Sequence, residues 1–286
     1  MSMTPPALTL KSPAKLNLML HITGRRKDGY HLLQTVFQFI DLYDHLTFEI
    51  TEDNAITRSG SKTPVDEADD IIQLAAKMLQ SRYQVAQGLR YSIEKHIPIG
   101  GGLGGGSSNA ATTLIALNKL WNLGLKTPKL ATLGLELGAD IPVFIEGKSA
   151  WASGVGEDLT PIDLPEPWYV VIYPQIFVST GEIFASEQLT RLCDPITIRA
   201  FLAGAGSNVC EPIACQLYPD IQKAIDWLSQ FSATRMTGTG ACVFASFDSL
   251  EQAESVKSLA PDYWDTFVVK AMNKNPVLEQ SELKHK

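Results

Sequence analysis

Leucines and an isoleucine take every second position from Leu16 to Ile22, with Asn17, Met19 and His21 between them. That two-residue period predicts a half-buried strand and puts Lys15 and Asn17 on the face away from the leucines. An Asp28-Gly29 turn signal follows, and residues 32–50 then offer two more strand-like stretches rich in Val, Phe, Ile and Thr. Ile71, Ala75 and Met78 recur at helical spacing, which predicts a helix over 69–82 with acidic residues at its start. Leu89, Tyr91 and Ile93 alternate again, so a strand runs directly into a glycine cluster. A stripe of Ala110, Leu114, Leu117 and Trp121 predicts a helix over 107–121. A shorter helix over 128–137 is stopped by Gly138 and Pro142.

Three prolines in residues 161–167 disfavour helix and central strand alike, so a second domain is expected to start there, dividing the chain into 1–160 and 161–286. Its pattern is an apolar run over 168–174, helices near 182–190 and 220–230, a Gly-Thr-Gly turn at 238–240 between strands, an amphipathic helix near 250–260 and a strand near 263–272. The tail, 279–286, reads as a frayed, solvated terminus.

Composition narrows the class. The chain has 286 residues, 45% hydrophobic and 19% charged, which describes a globular protein with sizeable cores rather than a disordered one. A net charge of −7 gives no global positive field for nucleic acid or anionic lipid, so any bound anion must be held by a local site. No apolar run is long enough for a membrane span, and the first residues lack the apolar core of a secretory signal. The four cysteines show neither C-x-x-C pairing nor clustered histidines, which disfavours zinc and disulfides and suggests a reducing cytoplasm.

The most informative segment joins a predicted strand to a predicted helix: Pro98, Ile99, Gly100, Gly101, Gly102, Leu103, Gly104, Gly105, Gly106, Ser107 and Ser108. Missing Cβ atoms let successive main-chain N–H groups surround a polyanion, and the helix start adds unpaired donors. The plain alternative is a tight connector, although linkers seldom join two well-patterned elements. No lysine follows the last glycine, so this is not a Walker loop. No Asp or Glu lies between Glu94 and Glu136 to hold a ribose, which removes support for a dinucleotide fold. The catalytic motifs of protein kinases are also absent.

The segment resembles the ATP loop of the GHMP small-molecule kinases, in which a proline and a glycine-rich turn precede Ser-Ser at a helix start. Residues 12–18, 28–41, 137–147 and 237–247 are similar to those members of the superfamily that act on a cytidine diphosphate-linked alcohol. The resemblance implies an α+β, two-lobed GHMP kinase fold: an N-terminal lobe like ribosomal protein S5 domain 2, carrying the glycine loop, and a ferredoxin-like C-terminal lobe closing the cleft. It implies ATP as phosphoryl donor, with Mg²⁺ to neutralise the triphosphate.

By the same resemblance Asp140 takes the acceptor proton, and Lys15 beside it offsets charge on that oxygen. Taken alone, Asp140 reads as a turn residue and Lys15 as a solvated strand-end lysine. Tyr30 and Phe184 would sandwich the cytosine while His31 bonds its edge; on composition alone these aromatics read as core. Asn17, Thr180, Gly238 and Thr239 are expected around the substrate, and Ser108 is expected to approach the metal, for which no acidic ligand is fixed by motif. One departure stands out: Asp70-Ile71-Ile72 replaces the family's common Asn-Leu-Ile at the adenine side, and an ionised aspartate accepts hydrogen bonds but cannot donate them. Two other readings stay open, a homoserine- or mevalonate-type GHMP kinase and a non-catalytic nucleotide-binding regulator.

Overall fold

The computed structural model describes residues 7–27, 29, 31–60 and 70–282. The N-terminal half opens with β1 (Leu8–Arg25), β2 (His31–Thr51) and β3 (Ile56–Arg58), followed by α1 (Ile71–Arg82) and β4 (Gly88–Glu94). Then come α2 (Gly105–Leu120), α3 (Thr127–Leu137), α4 (Ile141–Glu146), β5 (Ala150–Ser153) and β6 (Asp158–Pro161). The second half contains β7 (Trp168–Tyr173), α5 (Thr180–Ala185), α6 (Ile198–Leu202), α7 (Glu211–Leu217) and α8 (Pro219–Leu228). It closes with β8 (Thr234–Met236), β9 (Val243–Phe247), α9 (Leu250–Lys257), β10 (Asp265–Met272) and α10 (Pro276–Glu282).

Residues 32–50 form one strand rather than two. β2 is long enough to pair with β1 over most of its length, with β5 through Thr35–Phe37, with β10 through Phe39 and Ile40, and with β4 from His45 onward. The β2–β10 contact runs one sheet through both halves, in the order β3-β4-β2-β10-β7-β9-β8. The last four strands, read as β7-α8-β8-β9-α9-β10 with β7 and β9 at the centre, have the split βαβ order of a ferredoxin-like lobe. Helices α1 to α4 cover the first lobe's core, where Phe39, Phe48, Leu79, Leu114 and Phe144 are buried. In the second lobe α8 and α9 cover Val170, Ile172, Val243 and Ala245.

Strand β1 is not half-buried. Its middle is covered on both faces, because the second lobe closes over the face left polar in the sequence. A bulge between Asn17 and Leu20 sets two residues of β1, Leu18 and Met19, against Val36 of β2 and reverses the alternation. As a result Leu20 follows Lys15 and Asn17 into the cleft, while Met19 is buried with Val36, Trp151 and Leu164.

Other expectations shift for local reasons. Pro142 does not merely stop α3; it enters the first turn of α4, where its missing N–H costs nothing. Helix α5 ends at Ala185 rather than near 190, because the Arg191 guanidinium takes the Phe184 and Ser186 carbonyls that a longer helix would need. The first part of the tail is docked as α10. Val277 is buried, Asn275 Oδ1 accepts from the Val277 N–H, and Gln280 Oε1 accepts from the Lys11 N–H. The anchors Asn275 and Val277 lie just before the polar residues, whose composition hid the helix.

Candidate active site

Gly100, Gly102 and Gly104 have φ of +72°, +75° and +72°, while Gly101, Leu103 and Gly105 between and after them do not enter that region. Alternation of this kind turns successive main-chain N–H groups toward one concave side, an anion-binding nest, and α2 begins directly behind it. Close packing also requires glycine here. A Cβ on Gly102 would lie 2.3 Å from Thr237 O, and one on Gly104 would lie 2.8 Å from Lys15 Cε. The loop is strapped to the β8–β9 turn of the other lobe by Ala241 N–H to Gly100 O (3.2 Å) and Cys242 N–H to Gly101 O (3.0 Å).

Lys15 is 2% exposed and lies beneath this loop. Its Nζ donates to Gly102 O at 2.9 Å and to Asn17 Oδ1, and stands 3.3 Å from Asp140 Oδ2. Asp140 stands at the N-terminal boundary of α4 without a side-chain capping bond, and its side chain is about one-third exposed. Asn17 is fixed on both sides: its Nδ2 donates to Thr35 Oγ1 (2.8 Å), and its N–H donates to Thr237 Oγ1 (2.8 Å). The strand-end lysine and the turn aspartate of the sequence are therefore one buried-to-solvent pair.

Two cavities meet at the glycine loop. One, of about 760 Å³, is lined by Lys15, Asn17, His31, Asp140, Thr180, Phe184, Gly238 and Thr239 among others. The other, of about 420 Å³, runs along residues 98–107 to Asp70, Ile71, Ile72 and Lys95. Gly102, Gly104 and Ser107 line both, so the loop is the shared wall.

In the larger cavity His31 stacks on Phe184, with ring centroids 5.1 Å apart. Arg191, which the sequence reading missed, donates from Nε to His31 Nε2 at 3.3 Å and is pinned by the carbonyls of Leu189, Phe184 and Ser186. A guanidinium only donates, so the facing nitrogen must be unprotonated and the His31 proton sits on Nδ1. Burial, then the charges of Arg191 and Arg25, lower the His31 pKa and favour the neutral ring. Tyr30 lies outside the described residues, so of the expected sandwich only Phe184 is seen, with one face against His31. Thr180 and Thr239 share a hydrogen bond of 2.9 Å across the cavity wall.

In the smaller cavity the structure changes two assignments. The Asp70 carboxylate caps α1 through the Ile72 N–H and accepts from Tyr91 Oη (2.7 Å) and Arg58 Nη1 (3.2 Å). With three of roughly four acceptor positions filled, it organises the wall more than it offers a free edge to adenine. Ser108, expected near the metal, is fully buried with its hydroxyl 2.7 Å from Ser12 Oγ; Ser107 is the serine on the shared wall. Asp44, unremarked in the sequence, is fully buried and gathers four donors: Lys95 Nζ (2.6 Å), the His96 N–H (2.8 Å), the Ile97 N–H (2.9 Å) and Asn109 Nδ2 (2.9 Å). It fixes the approach to the glycine loop and holds Lys95 at the cavity. A lone Asp inside a strand carries no local signal of such a role.

A nest of main-chain amides next to an Asp–Lys pair is an arrangement suited to phosphoryl transfer onto a small molecule, and comparison with known proteins gives a small-molecule kinase class. The family model described as "GHMP kinases N terminal domain" matches residues 70–148, and "GHMP kinases C terminal" matches 189–265. The chain belongs to the GHMP kinase family, whose phosphoryl donor is ATP. More narrowly, it is 54% identical over 268 residues to the 4-diphosphocytidyl-2-C-methyl-D-erythritol kinase of Nitrosococcus oceani, covering 94% of this chain and 96% of that protein. It is 50% identical to the protein of the same name from Hahella chejuensis, covering 96% of each. A crystal structure of 4-(cytidine 5'-diphospho)-2C-methyl-D-erythritol kinase superposes with a TM-score of 0.82 at 29% identity, covering 92% of this chain and 99% of that one.

Proposed function

We infer that this chain is an ATP-dependent kinase that phosphorylates the 2-hydroxyl of 4-diphosphocytidyl-2-C-methyl-D-erythritol, giving the 2-phosphate and ADP in the non-mevalonate route to isoprenoid precursors. The observation that carries the chemistry is the Lys15–Asp140 pair, 3.3 Å apart in the larger cavity, beside the glycine loop that this cavity shares with the smaller one. ATP takes the smaller cavity with its phosphates in the nest, and the acceptor takes the larger one. Residues 1–160 then form the ATP-binding lobe and 161–286 the lobe that closes over the acceptor.

Asp140 accepts the acceptor's proton. Full alkoxide formation ahead of transfer would cost roughly 16 kcal/mol, from pKa values near 4 and 16, so the proton leaves late, once the oxygen is bonding to phosphorus. Alignment and charge stabilisation supply most of the rate, from the loop amides and the Lys15 ammonium. Mg²⁺, when bound, neutralises and orients the triphosphate. Ser107, which lines both cavities, would offer its hydroxyl to the ion beside oxygens of the phosphates and water, the hard donors Mg²⁺ prefers. His31, held as its Nδ1–H tautomer, donates toward an acceptor on the base edge, while Phe184 stacks on the ring and Asn17, Thr180, Gly238 and Thr239 line the path to the hydroxyl. Among the described residues no helix is long and apolar enough to cross a membrane, and we place the reaction in the cytoplasm with a small-molecule partner alone.

ADP release measured with 4-diphosphocytidyl-2-C-methyl-D-erythritol, its cytidine-free polyol phosphate, homoserine and mevalonate tests this reading. Turnover is expected with the first alone; equal turnover without the cytidine part defeats the substrate assignment, and turnover with none defeats catalysis.

A further inference from the structure

Beside the smaller cavity, though not among its lining residues, three side chains with metal-binding atoms come together: His45 on β2, Glu94 at the end of β4 and His96 two residues further on. Their ligand atoms all lie within 4.8 Å of one another, and among the described residues this is the one grouping of three His, Cys, Asp or Glu that close. His45 Nδ1 stands 3.6 Å from Glu94 Oε2, and the two imidazoles meet edge to face with centroids 5.5 Å apart.

The backbone makes this more than a chance meeting of mobile groups. His45 and Glu94 are direct partners in the β2–β4 ladder. His96 lies past the strand end, but its N–H is tied to Asp44 Oδ1, the residue before His45. The ladder therefore sets the Cα positions of His45 and Glu94, and the bond to the buried Asp44 carboxylate sets that of His96, while Glu94 and His96 keep exposed side chains that can rotate. Bringing the donors from these separations to the roughly 2.0–2.2 Å bonds of a bound zinc needs side-chain torsions only.

We propose that His45, Glu94 and His96 form a binding site for a divalent transition metal, separate from the Mg²⁺ that accompanies ATP. Two imidazoles and one carboxylate are a borderline-soft donor set that suits Zn²⁺, Cu²⁺ or Ni²⁺ and leaves open positions for water; Mg²⁺ prefers an all-oxygen shell. The site joins β2 to the segment that leads into the glycine loop, so an ion held there ties down Lys95, His96 and Ile97 next to the nucleotide cavity.

Zn²⁺ alone, competed against a chelator in millimolar Mg²⁺ with the full reduced chain, is the probe. The unsubstituted chain is expected to bind one equivalent more than the His45→Ala/His96→Ala double variant, and Glu94→Gln to weaken that equivalent about tenfold. Equal uptake by the unsubstituted and double-variant chains overturns the proposal. In case the double variant does not fold, carbethoxylation of the unsubstituted chain gives a second reading. Zn²⁺ but not Mg²⁺ is expected to protect both His45 and His96 from diethyl pyrocarbonate, and unchanged modification of both overturns it.

Discussion

Lys15 Nζ stands 3.3 Å from Asp140 Oδ2, with the lysine buried under the glycine loop and the aspartate open to the larger cavity. The arrangement suits the two roles proposed above: Lys15 is locked by Gly102 O and Asn17, whereas Asp140 lines the cavity where an acceptor proton would be taken. Asp140→Asn keeps the shape and removes the base. Turnover is expected to fall at least about a hundredfold, with ATP affinity within about threefold of the unsubstituted chain by calorimetry. Undiminished turnover would remove Asp140 from the chemistry.

The glycines of the loop should differ in what they tolerate. Gly104→Ala adds a Cβ 2.8 Å from Lys15 Cε at a residue with φ of +72°, so both stability and turnover should drop sharply. Gly106 has nothing within 4 Å of an added Cβ and lies in the first turn of α2. Gly106→Ala should raise stability by roughly 0.5 kcal/mol in urea melts, while KM for ATP reports whether phosphate approaches that amide.

Arg191 should act on the acceptor and leave ATP alone. Arg191→Met removes the donor that fixes the His31 tautomer and also frees three carbonyls near Phe184. KM for the cytidine substrate should rise at least about tenfold, the value of one charge-assisted hydrogen bond, with KM for ATP little changed. Arg191→Lys should not rescue it, because one ammonium cannot reproduce the planar fork. Nitrogen-15 shifts of His31 should show the Nδ1–H tautomer in the unsubstituted chain and a mixture in the variant.

Asp44 carries a stability prediction. Asp44→Asn leaves Lys95 without its counter-charge and turns an amide NH₂ toward a group of donors. Breaking such a buried pair from one side should cost about 3 kcal/mol in denaturant melts, and loss of the Lys95 anchor should raise KM for ATP.

His21 should make stability depend on pH. Its ring is buried, Nε2 accepts from the Ser207 N–H at 3.2 Å, and burial lowers its pKa from 6.5. The unfolded chain therefore takes up the proton more readily than the folded one. This contribution is complete above pH 6.5 and is lost as the pH falls through the lower folded-state value, the same direction as for His31. Urea midpoints at pH 7.5 and 5.5 should show the fall, and His21→Gln should reduce it.

Much of this was legible along the chain because it is local. The glycine spacing at 100–106 dictates a nest whatever surrounds it, since only residues without Cβ alternate into the left-handed region so densely. The periods of α1, α2, β4 and β10 likewise follow from which side of each element is apolar, and the blocks that resemble GHMP kinases carry the family with them. Other features depend on contacts that no single window contains. The bulge that turns Leu20 into the cleft, the four donors gathered by Asp44, the Arg191 fork behind His31 and the docking of α10 each pair segments far apart in sequence. Lys15 and Asp140 are the sharpest case. Each is unremarkable in its own segment, and they come within 3.3 Å only because α4 and the glycine loop pack against β1, which buries the lysine beside that carboxylate.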